Sequence, residues 1–525
     1  MQTAYVAPII CLAQRFAKNL KILSSLLVVM LLTGCSTVSF DQPKTASHAY
    51  TDTGDTPFGL HLAQWNSEHQ GLSGFYPLSD GMDALGARLR LIEGAQRGID
   101  VQYFLMKDDD AGEVFAGSLL RAADRGVRVR FLLDDVFTTV EDDILALLNQ
   151  HPNIQMRLYN PISRRGIYYL NYAGDFSRTN RRMHSKSLTG DNAFAIVGGR
   201  NIADEYFQLR GDTEFLDYDV LAIGPIVAEV SQQFDDFWNS SMAVPLEQMN
   251  NKFTPQDLAE ELAEIDEELA AASHSIYRKA INTQYMRELV DGTGTIYVAP
   301  AVLLHDGAVK LENPIDASQM TLINELADFI DTAEASVFIV TPYFIPTDSG
   351  VEFWRKIIDS GKSVTVVTNS LASTNHVPVH AGYARYRKDM LEMGASLYEA
   401  RVNAIDADDG GSGTTPDSLT LHTKLMLIDE RHLFVGSLNL DPRSIRINAE
   451  MGLLIDSPEM GREFMKDIEA SLDDSAYKLE LDKNGRLRWR ANIDGEEVLE
   501  TKEPLTSWWR RFQAQVYRIL PESQL

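Results

Sequence analysis

Two short stretches of this chain carry the same reactive side chains at the same spacing. Arg181-Arg182-Met183-His184-Ser185-Lys186-Ser187-Leu188-Thr189-Gly190-Asp191 is followed by Gly198-Gly199-Arg200-Asn201, and His422-Thr423-Lys424 is followed by Asp429 and Gly436-Ser437-Leu438-Asn439. Both fit the skeleton H-x-K-x4-D-x6-G-x2-N. In an extended segment residues two apart share a face, so His184 projects with Lys186 and His422 with Lys424. Asp191-Asn192 and Asp429-Glu430 stand where a turn is needed, with Phe194, Ile196, Leu433 and Val435 on the returning strands. Each copy therefore reads as a hairpin whose far end, at Gly198 or Gly436, brings Asn201 or Asn439 back beside the His and Lys.

Two such hairpins facing each other across a pseudo-twofold axis would gather two imidazoles, two ammonium groups and two carboxamides around one small volume. That set suits a tetrahedral phosphate. Lysines and amides neutralise the nonbridging oxygens, one neutral histidine attacks phosphorus, and the other protonates the leaving alcohol. Side chains supply all the positive charge, so neither a metal nor another cofactor is expected. A single copy would be as well explained by a strand histidine beside a solvated lysine; two complete copies are not.

The elements around the motifs repeat as well. Residues 83–97 have helical apolar spacing (Leu85, Leu89, Leu91, Ile92), 99–106 form a β-branched and aromatic run, 113–125 are again helical up to Gly126, and 127–133 form a strand entering Asp134-Asp135. Strand, helix and strand in this order predict a βαβ unit and a mainly parallel sheet, an α/β fold. In the second half 335–344 line up with 95–104, and the helix 351–360 stops at Gly361 as the earlier one stops at Gly126. Repeats of this length are duplicated domains.

With 525 residues, 44% hydrophobic and 23% charged, the chain has room for two buried cores. Its formal net charge of -27 disfavours polyanions, so no nucleic acid partner is expected. The two cysteines, Cys11 and Cys35, both lie near the N-terminus, leaving the folded body without a disulfide framework or a cysteine metal cluster. The apolar run 22–32, preceded by Arg15, Lys18 and Lys21, has the flanks of a secretory signal and ends in Leu32-Thr33-Gly34-Cys35. This site resembles the lipobox of bacterial lipoproteins, which implies a lipidated Cys35; Ser36 after it implies the outer membrane, with the body facing the periplasm of the cell envelope. A chance cysteine at the end of an uncleaved anchor is the alternative.

The domain boundaries follow: 1–35 signal with lipobox, 36–70 a polar tether, 71–250 a first domain, 251–295 a linker region with an acidic helix from Thr254-Pro255, 296–480 a second domain, and 481–525 a C-terminal extension. Residues 401–418 are a Gly and Asp rich loop ahead of the second motif, either a gate to the site or a variable surface loop. In the extension, Trp508, Trp509, Arg510, Arg511 and Phe512, then Val516 to Leu520, make a basic and aromatic amphipathic stretch that either lies in a lipid interface or packs on the second domain. His376 and His380 either reach an acceptor lipid or serve the structure; no third ligand accompanies them for a metal.

The doubled motif resembles that of the phospholipase D superfamily at all its fixed positions. Gly74-Phe75-Tyr76-Pro77-Leu78, Asp100-Val101-Gln102-Tyr103, Gly126-Val127-Arg128-Val129-Arg130, residues 197–201, Asp219-Val220-Leu221-Ala222-Ile223-Gly224-Pro225, His380-Ala381-Gly382-Tyr383-Ala384-Arg385 and Asn439-Leu440-Asp441-Pro442-Arg443-Ser444 resemble its cardiolipin synthase C branch, over nearly everything after residue 70. The resemblance implies two duplicated α/β/α sandwich domains and a phosphatidyltransferase making cardiolipin from phosphatidylglycerol and a second phospholipid such as phosphatidylethanolamine. A phospholipase D-type hydrolase of membrane phospholipids is the alternative. It implies His184 as the nucleophile that forms a phosphohistidine and His422 as acid and then base, the reverse assignment remaining open. Lys186, Lys424, Asn201 and Asn439 would bind phosphoryl oxygens. Each histidine is oriented by a carboxylate downstream, at positions matching Asp217, with Asp219 as its local rival, and Glu450. Asp191 and Asp429 complete the motif and brace the hairpin more than they touch substrate. The family pattern does not begin with a lipobox, and the charge of -27 opposes anionic lipid, which a basic site mouth of Arg181, Arg182 and Arg200 would offset.

Overall fold

The computed structural model describes residues 38–524 apart from 42, 141, 165–167, 211–212, 249–274, 314–315, 404–417 and 494. The lipobox with Cys35, the acidic stretch from Thr254 and most of the Gly and Asp rich loop lie outside the described residues.

The first half contributes strands β1 (Ser73–Leu78), β2 (Gly98–Tyr103), β3 (Arg128–Asp134), β4 (Ile154–Tyr159), β5 (Ser187–Gly190), β6 (Phe194–Gly198), β7 (Thr213–Leu216), β8 (Asp219–Ile223) and β9 (Ala243–Pro245). The second contributes β10 (Tyr297–Ala299), β11 (Ala301–His305), β12 (Ser336–Val340), β13 (Ser363–Asn369), β14 (Ser396–Ala400), β15 (Ser418–Leu421), β16 (Leu425–Ile428), β17 (His432–Gly436), β18 (Met451–Asp456), β19 (Ala476–Leu481), β20 (Leu487–Ile493) and β21 (Glu496–Glu500). Among the described residues these form a nine-stranded sheet, β10-β1-β8-β6-β5-β2-β3-β4-β9, a ten-stranded sheet, β11-β18-β17-β16-β12-β13-β14-β19-β20-β21, and a two-stranded sheet, β15-β7. From β1 to β9 the first order maps strand for strand onto β11 to β19 of the second, with the same sense of pairing at every step. This is the duplicated α/β architecture.

The sheets are mixed, however, and not mainly parallel. Within the two large sheets only β2-β3-β4 and β12-β13-β14 run parallel, and β7 pairs in parallel with β15 across the two halves. Helices Asp110–Asp124 and Thr347–Asp359 make the crossovers that parallel pairing requires, and both close through a glycine of positive φ, Gly126 at 91° and Gly361 at 90°. The remaining pairs in these sheets are antiparallel, and of these β5-β6 and β16-β17 are joined by tight turns.

Each sheet buries one face under its own helices, with Leu85, Leu89, Val114 and Phe131 in the first core and Leu326, Ile339, Trp354 and Val366 in the second. A third core lies between the domains, where Phe75, Val197, Val220 and Val227 meet Phe338, Leu427, Val435 and Leu453. It fixes the two halves against each other by the same apolar burial that holds each half together.

Residues 36–70, expected as a tether, hold helix Pro57–Glu68, capped by Thr56 with proline in its first turn. Ahead of it the chain is fastened to the first domain. Lys44 Nζ donates to Ser240 and Ala243 carbonyls, Arg130 donates to Ser47 O at 2.7 Å, and Arg128 stacks 3.7 Å from the Tyr50 ring centroid. Domain cations on backbone carbonyls need no apolar period, which is why composition suggested a free tether.

Candidate active site

Both hairpins form, β5-β6 and β16-β17, each antiparallel. Their turns match closely. Asp191 and Asn192 both have φ of 51°, Asp429 and Glu430 have 55° and 51°, the double positive φ that suits a right-twisted two-residue hairpin. Asp191 accepts from the backbone N–H of Gln96, Arg97 and Gly98, and Asp429 from those of Glu334, Ala335 and Ser336. The third fixed position of the motif thus ties its turn to the start of the neighbouring strand, β2 or β12, at the end of the hairpin away from the histidine.

His184 and Lys186 lie just ahead of β5 and His422 and Lys424 just ahead of β16, rather than within regular strand as predicted. The reason is a change of partner. His184 N donates to Ala449 O and Ala449 N to Arg182 O, while His422 N donates to Leu216 O after β15 has paired with β7. Each motif therefore enters the site hydrogen-bonded to the opposite domain, beside the residue that precedes that domain's carboxylate.

The consequence is a crossed pairing. His184 Nδ1 lies 2.8 Å from Glu450 Oε2, and His422 Nδ1 lies 2.6 Å from Asp217 Oδ2. The expectation of a carboxylate downstream of each histidine holds in sequence but not in space, because each carboxylate serves the other domain's histidine. Asp219, the rival to Asp217, is taken by Arg88 at 2.8 Å and Arg200 at 3.3 Å.

Lys186, Lys424, Asn201 and Asn439 are all buried beside the histidines. Lys186 Nζ reaches His184 O at 2.5 Å and lies 5.2 Å from the Phe104 ring centroid; Lys424 Nζ reaches His422 O and sits 2.8 Å from His422 Nδ1 and 3.3 Å from its Nε2. Asn201 donates to the Tyr206 hydroxyl at 2.9 Å, and the Oδ1 atoms of Asn201 and Asn439 are buried without a hydrogen-bond partner among the described residues.

Burial governs the charge states. It lowers His184 to about 4, with Glu450 raising it and Lys186 lowering it, and lowers His422 to about 3, where Lys424 adds to the effect against Asp217. Lys186 falls to about 7 and Lys424 to about 8, again through burial. Glu450 and Asp217 stay below the usual carboxylate range although burial pushes them up; His184 leads in holding Glu450 down and Lys424 in holding Asp217 down. The resting site thus presents two neutral imidazoles whose Nδ1–H points at a carboxylate, leaving Nε2 as the lone-pair nitrogen. Among the described residues no group of three or more His, Cys, Asp or Glu is placed to hold a metal ion.

The expected basic mouth is a correction. Arg182 is buried on Asp134 at 3.0 Å and on Asn160 O, and Arg200 on Asp219 and the Leu78 and Ser79 carbonyls, where a buried guanidinium must use its donors. Arg181, half-buried, donates to the Leu311 and Asn313 carbonyls. His380 is likewise buried against Arg387, and exposed His376 meets the Tyr343 ring. The sequence reading missed the ring walls of the site, Phe104 at 4.7 Å from His184 and Phe215 and Tyr206 at 5.3 and 5.1 Å from His422. No spacing rule marks them, although Phe215 lies two residues before Asp217 on an extended run.

Residues 89–238 and 326–472 match the family described as "Cardiolipin synthase, PLD-like domain". Cardiolipin synthase C of Escherichia coli K12 is 39% identical over 87% of this chain and 96% of its own length. An uncharacterized protein of Helicobacter pylori strain 26695 is 33% identical over 96% of this chain and 100% of its own. Among solved structures, phosphatidylserine synthase of Haemophilus influenzae Rd KW20 shares the fold with a TM-score of 0.51 at 17% identity, over 80% of this chain and 91% of that one.

Proposed function

The chain belongs to the PLD-like cardiolipin synthase family, and on that premise we propose that it is a phosphatidyltransferase that makes cardiolipin from phosphatidylglycerol and a second phospholipid, phosphatidylethanolamine or another phosphatidylglycerol. The observation that carries this reading is the crossed pair of neutral histidines between two buried lysines. Lys186 and Lys424 balance Asp217 and Glu450, so the arrival of one phosphodiester anion leaves room for one imidazolium.

With the phosphodiester bound, His422 takes up a proton from water at Nε2; His184 Nε2 then attacks phosphorus, the bond from phosphorus to the head-group oxygen breaks, and that oxygen leaves with the proton from His422 Nε2. Neutral His422 then takes the proton from the glycerol hydroxyl of phosphatidylglycerol, whose oxygen displaces His184 from phosphorus. Lys186, Lys424 and the side-chain amides of Asn201 and Asn439 stabilise the phosphoryl oxygens. The site needs no cofactor in this scheme. His184 is favoured as nucleophile because its Nε2 has no hydrogen bond among the described residues, whereas Lys424 Nζ stands 3.3 Å from that of His422.

With water as acceptor the same steps give a phospholipase D-type hydrolase. A lipobox ending at Cys35 supports a lipid anchor, and Ser36 supports the outer membrane with the body on the periplasmic side; among the described residues no helix is long and apolar enough to cross a membrane. The test is incubation of the purified protein with phosphatidylglycerol, with and without phosphatidylethanolamine, followed by lipid analysis. Cardiolipin with released glycerol or ethanolamine is expected; phosphatidic acid alone would make the protein a hydrolase.

A further inference from the structure

The C-terminal helix Trp508–Tyr517 is packed inside out. At 3.6 residues per turn Trp508, Trp509, Phe512 and Val516 fall within about 100° of arc, the stripe that a core-packed helix turns inward. Here it faces away from the protein. Trp508 is 70% exposed, Trp509 52% and Phe512 50%, and Ile519 in the following turn is 84% exposed, while Ala514 is the buried residue of the helix.

The polar side does the fastening. Arg510 donates to Leu371 O at 2.6 Å and Thr374 O at 2.7 Å; around the helix, Glu503 accepts from Arg387, and Glu522 from Arg385 and the Tyr386 hydroxyl. A loosely attached tail would leave these groups in water, so the outward apolar face is held in position by half-buried polar contacts.

That position is beside the reaction centre. The loop that receives Arg510 follows β13, whose Asn369 bonds both the N–H and the carbonyl of Leu421, the residue before His422. After the helix, Glu522–Gln524 packs on Pro442–Arg446, and Arg443 from that turn crosses to Asn180 of the first domain, four residues before His184. Next to Asn180, Phe176 is 43% and Tyr169 80% exposed. The same corner receives the start of the described chain, where Phe40 lies 5.0 Å from the Arg178 guanidinium, only five residues after Cys35. Residues 502–520 also carry Lys502, Arg510, Arg511 and Arg518 against Glu503 alone, in a chain whose net charge is -27.

We propose that Trp508, Trp509, Phe512, Val516 and Ile519 form an interfacial membrane-docking face, which seats in the head-group region of a phospholipid bilayer and sets the His184–His422 site against its substrate lipids. The proposal rests on the reading of the protein as a phospholipid-transferring enzyme. Paired exposed tryptophans suit a layer that is apolar on one side and wet on the other, and the local excess of cations suits its phosphates. An anchor at Cys35 would tether the enzyme without fixing its orientation; a rigid aromatic face on the site side fixes it.

The test uses the full chain on vesicles of phosphatidylglycerol and phosphatidylethanolamine whose acyl chains carry bromine, a quencher of tryptophan fluorescence at bilayer depth. Quenching is expected in the wild type and its loss in W508F/W509F. The variant W508S/W509S/F512S should lose about tenfold in turnover on vesicles, keep its turnover of short-chain phosphatidylglycerol dispersed as monomers, and be rescued by W508F/W509F/F512Y. Absence of quenching in the wild type overturns the proposal. So does an equal loss on vesicles and on dispersed lipid, which would make the helix a packing element. Quenching without turnover of any lipid would leave the docking face standing and remove the enzymatic reading instead.

Discussion

The two halves of the site share a skeleton but not a surrounding. In the first, Asp217 carries the short carboxylate that reaches His422; its Oδ1 accepts from Tyr218 N at 2.9 Å, and Gly199 lies so close that an added Cβ would stand 2.2 Å from that oxygen. In the second, Glu450 is one methylene longer, Ser437 replaces the glycine and donates to Glu450 Oε2 at 2.5 Å, and Glu450 Oε1 is buried without a partner among the described residues. The rings differ too. His422 is stacked on Phe215 and edged by Tyr206, whereas His184 meets the edge of Phe104. Duplication therefore supplied two equivalent imidazoles, equally buried, and divergence around them set one between two rings and the other against one. That is the structural basis for giving them different roles, nucleophile to His184 and proton carrier to His422.

The largest expected effect divides those roles. His184→Ala and His422→Ala should each lower lipid turnover by about 10⁴-fold or more, but only His422→Ala should retain a covalent phosphatidyl adduct, read by intact mass after a single addition of lipid. An adduct in His184→Ala and none in His422→Ala would exchange the assignments.

The carboxylates come next, and here the crossed geometry makes a counterintuitive demand. Glu450→Gln, in the second half, should slow formation of the adduct on His184 in the first, while Asp217→Asn should slow the steps that need His422, each by about 10³-fold as for a histidine held in the wrong tautomer. Single-turnover kinetics separates the two. If each amide variant impaired the histidine of its own half, the crossed pairing would be wrong.

This crossing was the part of the site that sequence did not disclose. The motif residues were legible because the chemistry needs His, Lys and Asn at fixed spacing, and the hairpin was legible from Asp191-Asn192 and Asp429-Glu430. Asp217 and Glu450 were found through family resemblance, but their spatial partners depend on β7 pairing with β15 and on Ala449 meeting His184, contacts between residues more than two hundred positions apart. The parallel expectation failed for a related reason. A βαβ pattern marks β2 and β3 correctly and says nothing about the strands that pair antiparallel beside them. Arg182 and Arg200 looked like a basic mouth because sequence shows charge without burial.

Gly199→Ser copies the second half onto the first and should cost about 10²-fold, because its Cβ must displace the Asp217 carboxylate from His422 by a sizeable fraction of an ångström. Rescue by no other single change at the site is expected, since the obstruction is steric; an active Gly199→Ser would mean that Asp217 has more freedom than its contacts imply.

The lysines separate the halves by pH. A base with a lowered pKa loses its proton earlier as pH rises, so Lys186, at about 7, discharges before Lys424, at about 8, while His184 stays neutral above about 4. The value of kcat/KM should thus hold between those limits and fall about tenfold per unit above the Lys186 limit. Lys186→Arg, which does not titrate, should move that limb upward, and Lys424→Arg should leave it in place. A limb unmoved by Lys186→Arg would assign it to another group.

Ser437→Gly is the reverse copy and the mildest change. Glu450 would keep its bond to His184 but lose the 2.5 Å hydroxyl that holds the same oxygen, and Met451 N would lose its 3.1 Å acceptor. One charge-assisted hydrogen bond, partly compensated by water, is worth about three- to tenfold in the rate of adduct formation. The loss should appear in that step and leave resolution by His422 unchanged. A variant indistinguishable from wild type would mean that the strand alone aims Glu450, as it aims Asp217 beside Gly199, and the two half-sites would then differ in their rings and lysines but not in how their carboxylates are held.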